Sequence, residues 1–120
     1  MKACFDTNIV IDFLNGRLEA KELFSIYEPS ISAIAYLATF VKLSAHVDPK
    51  QAQTILSGLD VIPVDRDIAE LAARFRSEKQ LKTPDAIIYG TAVHLGVVLI
   101  TRNTRDFKES DPYIKVPYHA

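Results

Sequence analysis

The chain is short of several things, and each shortage removes a class of protein. It has one cysteine, Cys4, so no internal disulfide can form. Cys4 lies in an apolar run and reads as a small core residue in a protein of a reducing compartment. Its four glycines build no phosphate-cradling loop, which disfavours a nucleotide-binding domain. Net charge is only −1, so there is no basic coat for nucleic acid, although a local basic rim around an acidic pocket stays compatible. No apolar run is long enough to span a membrane, and the start turns acidic too early for a signal peptide. Repeats, low-complexity tracts and linkers are absent. The expectation is a soluble, cytoplasmic protein with no membrane partner.

What is present suffices for one domain over residues 1–120, with 48% apolar residues to build a core. Ala3, Cys4 and Phe5 predict a buried strand whose end is the acid Asp6. Ile9, Val10, Phe13 and Leu14 follow at helical spacing until Gly16. A second helix is expected over residues 18–27, and a brief strand tip at Ser30, Ile31 and Ser32. Residues 33–45 read as a helix with Ser32 as cap and Ile34, Leu37 and Val41 along one stripe. Asp48 and Pro49 open a further helix. Residues 60–64 read as a strand that Pro63 keeps from a fully bonded central place. A helix over residues 65–80 precedes one opened by Thr83 as cap, Pro84 and Asp85, apolar nearly all round and closed by Gly96. Residues 97–100 are a continuous apolar run, and residues 114–116 suit a last edge strand. Strands alternating with helices predict a three-layer α/β/α domain with a mostly parallel central sheet.

Three acids fall where the carboxyl edge of that sheet belongs: Asp6, Asp85 and Asp106, with Asn103 shortly before the last. Each has a plain alternative. Asp6 could cap a helix, Asp85 could answer a helix dipole, and Asp106 could sit in a turn. Together they are harder to explain. Two carboxylates about 4 Å apart repel by roughly 4 kcal/mol at an effective dielectric of 20, so their convergence calls for a cation. Oxygen ligands without nearby His or Cys suit Mg²⁺ or Mn²⁺, the ions of phosphodiester cleavage.

The segments Phe5-Asp6-Thr7-Asn8, Ile31-Ser32-Ala33-Ile34, Thr83-Pro84-Asp85-Ala86-Ile87-Ile88 and residues 99–107 resemble, in order, the four signatures of PIN-domain ribonucleases, most nearly the VapC-type toxins of toxin–antitoxin pairs. The resemblance implies a PIN-like parallel-sheet fold and Mg²⁺ or Mn²⁺ at a carboxylate cluster. It also implies endonucleolytic cleavage of RNA, a homodimer, and inhibition by a cognate antitoxin. It assigns metal binding to Asp6 and Asp85, and a catalytic last position to Asn103 or Asp106. Asn8 and Thr101 match polar residues around the site.

One position departs from the pattern. Six residues past Ser32 the family carries a Glu, and here the residue is Ala38. Ala35, Ala38 and Lys42 share one side of the helix, and Lys42 cannot replace an acidic ligand. Either Ala38 is ordinary packing, or a catalytic acid has been removed by engineering or natural decay. The second reading predicts a chain that folds and binds its partner but cleaves poorly. Among basic residues, Arg102 and Arg105 border the site and are expected to meet RNA, whereas Arg74, Arg76 and Lys79 read as a solvated helix face. His46, His94 and His119 are scattered and suit surface or structural roles. The competing functions are a catalytically inactive module that binds its antitoxin and a phosphoryl-accepting switch. The switch needs a late Lys after a strand, which is not evident.

Overall fold

The computed structural model describes residues 1–119 and sets β1 (Lys2–Phe5) in the middle of a five-stranded sheet. Ala3, Cys4 and Phe5 are fully buried, as a strand covered on both faces demands. Then come α1 (Thr7–Leu14), α2 (Leu18–Ile26), β2 (Glu28–Ser32), α3 (Ala33–Val41), α4 (Pro49–Leu56) and β3 (Asp60–Ile62). Two longer helices, α5 (Arg66–Glu78) and α6 (Thr83–Leu95), lead to β4 (Val98–Ile100) and β5 (Ile114–Lys115). The strand order is β3-β2-β1-β4-β5, and every pairing is parallel. The fold is therefore α/β, as the alternation predicts.

Strand order reverses at β1. Right-handed crossovers then lay the helices before β3 over one face and α5 and α6 over the other. Phe5 pairs with Ile100, so Asp6 and Thr101 leave the sheet side by side at its carboxyl edge. That edge, at the reversal, is where open α/β sheets form their binding crevice.

Several local expectations hold. Asp48 caps α4 through the Lys50 amide at 3.1 Å. Gly96 closes α6 with φ 69°. β3 stops before Pro63 and lies at the edge. Beyond those expectations, Asp65 caps α5 through the Ile68 amide at 2.9 Å. Pro29 sits inside β2, a longer strand than the expected tip. The Glu28 amide donates to Met1, so Pro29 turns toward β3, whose pairing begins only at Ser30. No partner is lost there. Gly90 lets α6 lie close on α5, where a Cβ would stand 3.4 Å from the Ala72 nitrogen.

Three expectations need correction. α3 ends at Val41, short of residue 45, because Lys42 leaves helical geometry. Two of the three stripe residues on α3 face outward: Leu37 is 63% and Val41 77% exposed, while Ile34 packs against the core and Ala35 and Thr39 are fully buried. Thr39 satisfies its hydroxyl on the Ala35 carbonyl at 2.8 Å. Thr83 is not the cap of α6. Lys82 holds that place, and the Thr83 hydroxyl accepts from Arg76 at 2.9 Å. Among the described residues, no helix is long and apolar enough to cross a membrane.

Gly96 has no atom within 4 Å of a built Cβ, so its substitution isolates the backbone cost of a left-handed residue. In urea denaturation, Gly96→Ala is expected to lose about 1 kcal/mol. Leu37→Gln, on the exposed side of α3, is expected to stay within about 0.5 kcal/mol of the parent.

Candidate active site

Asp6 does two things at once. It caps α1, its Oδ1 accepting from the Thr7 amide at 2.8 Å. Its Oδ2 accepts from the Thr101 hydroxyl at 2.7 Å and the Asn8 amide group at 3.2 Å. Only 4% of the residue is exposed. Burial drives its carboxyl upward from the ordinary range. Hydrogen bonds from Thr101, Thr7 and Asn8 and the charge of Lys42 oppose that without cancelling it.

Asn8 ties this cap to the β4 side. Its Nδ2 also donates to Thr101 at 3.3 Å, and its Oδ1 accepts from the Arg102 backbone at 3.3 Å. Thr101, matched by the resemblance to a polar residue around the site, is fully buried and spends its hydroxyl on Asp6. It holds the carboxylate from behind.

A cavity of about 270 Å³ opens above these groups. Asp6, Asn8, Ala38, Asp85, Arg102 and Asn103 all line it, drawn from the regions of α1, α3, α6 and the loop after β4. Asp85 is half-buried in the first turn of α6. Burial first, then the charges of Asp6 and Asp106, push its carboxyl up to about 6. Asp106 lies outside this lining and faces the neighbouring cavity of about 760 Å³. Its charge nevertheless bears on Asp85, and it holds Asn103 in a reciprocal pair, the Asn103 Nδ2 donating to its Oδ2 at 2.9 Å and its own amide donating to the Asn103 Oδ1 at 3.3 Å.

Arg105 is exposed and does not line the carboxylate cavity. Arg102 does, and a residue the sequence did not single out controls it. Asp12 accepts from its Nε at 2.7 Å and Nη2 at 3.1 Å. Tyr118 adds a hydroxyl to Asp12 at 2.8 Å, and Arg17 stacks over the Tyr118 ring at 4.0 Å. Burial alone would raise the Asp12 carboxyl, but the bonds from Arg102 and Tyr118 hold it below its ordinary range. The signal was present: Asn8 and Asp12 are four apart on α1, and both meet Arg102. Lys42 also lines the cavity, one helical turn beyond Ala38. Cys4 is inert, its thiol pushed up to about 12 chiefly by burial.

Among the described residues, no three carboxylate, imidazole or thiolate groups stand ready-made as a metal cage. The donor chemistry still fits a hard divalent cation. Asp6 and Asp85 share one cavity, their ligand atoms are all oxygen, and their mutual repulsion is what such an ion relieves. At the end of β2, the buried Ser32 hydroxyl has no partner among the described residues.

A PIN domain family model matches residues 3–111. Among solved structures, a toxin–antitoxin complex from Klebsiella pneumoniae is similar at TM-score 0.91, with 38% identity over 99% of this chain and 100% of that one. FitAcB from Neisseria gonorrhoeae matches at TM-score 0.78 and 22% identity, over 98% of this chain and 99% of that one. VapBC2 from Rickettsia felis, bound to a DNA fragment from its promoter, matches at 0.76 and 20%, over 96% and 98%. The last two likenesses show the fold alone. No curated protein matches.

The raised Asp85 carboxyl makes a signed expectation. The folded chain holds this proton more tightly than the unfolded one, whose carboxyl titrates near 3.8. The contribution is complete below pH 4 and is lost as pH rises through about 6. Asp85→Asn should therefore exceed the parent by about 1 kcal/mol at neutral pH, after allowance for solvent screening. That advantage should shrink as pH falls toward 4. Urea titrations across pH check it, and a pH-independent difference would contradict the electrostatic cause.

Proposed function

Because the chain belongs to the PIN domain family and resembles its VapC-type toxins, we propose that it is a metal-dependent endoribonuclease toxin, restrained by a cognate antitoxin and impaired by Ala38. One observation carries this reading. Residues from four separated segments, Asp6, Ala38, Asp85 and Asn103, line a single cavity at the point where strand order reverses.

In this reading Asp6 and Asp85 would hold Mg²⁺ or Mn²⁺, with the Asn103–Asp106 pair completing the acidic side, and the chemistry such an ion would supply is Lewis-acid polarisation of a phosphoryl oxygen and activation of water. The protein's own groups do the remaining work. Thr101, Asn8 and the Thr7 amide fix the Asp6 carboxylate so that it does not reorganise. With its carboxyl at about 6, Asp85 is mostly ionised at neutral pH and would offer a carboxylate to a cation. Arg102 lies on the cavity wall with Asp12 fixing its angle, and its free guanidinium edge suits a phosphate. Arg105 flanks the site as a looser RNA contact. Ala38 supplies no oxygen, so nothing at that point of α3 orients the attacking water.

The Klebsiella complex supports an antitoxin partner for this chain. The exposed Leu37 and Val41 give α3 an apolar edge suited to a partner chain, whether the antitoxin or a second copy in a homodimer. An RNA substrate implies a cytoplasmic site of action. Ala38 in the cavity wall also favours a second reading, a catalytically inactive module whose work is to bind its antitoxin.

Cleavage of RNA with Mg²⁺, by this chain beside its Ala38→Glu variant, separates the two. The nuclease reading expects the variant to cleave at least about 100-fold faster, as restoring a general base does, and to fall silent with EDTA. Equal rates would remove position 38 from the chemistry. A folded variant that binds antitoxin but never cuts RNA would leave the binding module.

A further inference from the structure

The cavity contains a charge that the proposed mechanism does not use. Lys42 enters its lining from α3, on the side where Ala38 offers no acid. Among the described residues Lys42 makes no ion pair. The other cations nearby are differently placed. Arg102 is gripped by Asp12, and Lys82 bears on Asp85. The Lys42 charge bears on Asp6, as the Asp12-held Arg102 also does. Ile11 and Ile34 line the same cavity and offer apolar surface for its four-carbon stem.

We propose that the Lys42 ammonium is a resident countercharge of the carboxylate cavity, standing in part for the ion and weakening the grip of this chain on divalent cations. The inference rests on the metal-site reading above. An ammonium beside carboxylates relieves their repulsion while the site is empty. An entering divalent ion must then displace it or bind against it. Position 38 controls this as well. A Glu there lies one turn before Lys42, the C-cap residue whose amide still bonds the carbonyl of position 38 at 3.0 Å, and draws the ammonium along α3. Ala38 thus acts twice in one direction: it withholds a ligand, and it leaves Lys42 free to face Asp6.

The experiment is a Mn²⁺ titration by calorimetry, with folding checked by circular dichroism. It uses the full chain as it stands, Lys42→Met, Lys42→Arg, Ala38→Glu and the Ala38→Glu/Lys42→Met pair. Lys42→Met should tighten Mn²⁺ by about threefold to tenfold at low salt, and by less as salt rises. Lys42→Arg, which keeps the charge, should match the parent. In the Ala38→Glu background, removing Lys42 should change affinity by less than about twofold, because the pair already occupies the lysine. A Lys42→Met protein that binds Mn²⁺ no better than the parent, while Ala38→Glu binds it tightly, overturns the proposal and leaves the nuclease reading intact. If none of the folded proteins binds Mn²⁺, both fail.

Discussion

Asp6 is ionisable, almost fully buried, and placed where the order of a parallel sheet reverses. A carboxylate in that position is tolerable only if its oxygens are occupied. The Thr7 amide, the Thr101 hydroxyl and the Asn8 side chain occupy them. The other features of the site follow from this requirement. Thr101 has to be buried, Asn8 has to span from α1 to the loop after β4, and β1 and β4 have to pair in register so that Asp6 and Thr101 end together.

The acids opposite Asp6 are less well compensated. Burial, and then the charges of Asp6 and Asp106, raise the Asp85 carboxyl, with little beyond Lys82 to oppose them. Asp12 shows the contrary case within the same molecule. It has Arg102, Tyr118 and Arg17 around it, and its carboxyl falls. The two differ in function for that reason. Asp12 is satisfied by the protein and serves as a fixed brace. Asp85 has only the charge of Lys82 set against burial and two neighbouring acids, an electrostatic strain of the kind that concentrates at functional sites. The same contrast separates the arginine that Asp12 immobilises from the lysine that nothing on α3 restrains.

Much of this was legible in the chain. An acid directly after the apolar Ala3, Cys4 and Phe5 marks a strand end, and the Pro84-Asp85 pair marks the opening turn of a buried helix. Both signals are local, because strand burial and helix initiation are decided within a few residues. The outward turn of Leu37 and Val41 was not legible. Apolar periodicity reveals that a helix has two faces, but here the small face, Ala35 and Thr39, packs inward. The Asp12–Arg102 pair spans 90 positions, and no local pattern announces it.

By itself the sequence determined the α/β class, the acids at the carboxyl edge, the alanine at position 38 and the likeness to PIN-domain toxins. Each depends on residue type and short-range spacing, which the chain carries in plain order. Tertiary structure alone decided which groups come together: that Thr101 backs Asp6, that Arg102 is held by Asp12, that Asp106 pairs with Asn103, and that Lys42 lines the cavity of the acids. Those outcomes depend on how distant segments pack. Electrostatic interaction falls with distance through space, whatever the separation along the chain.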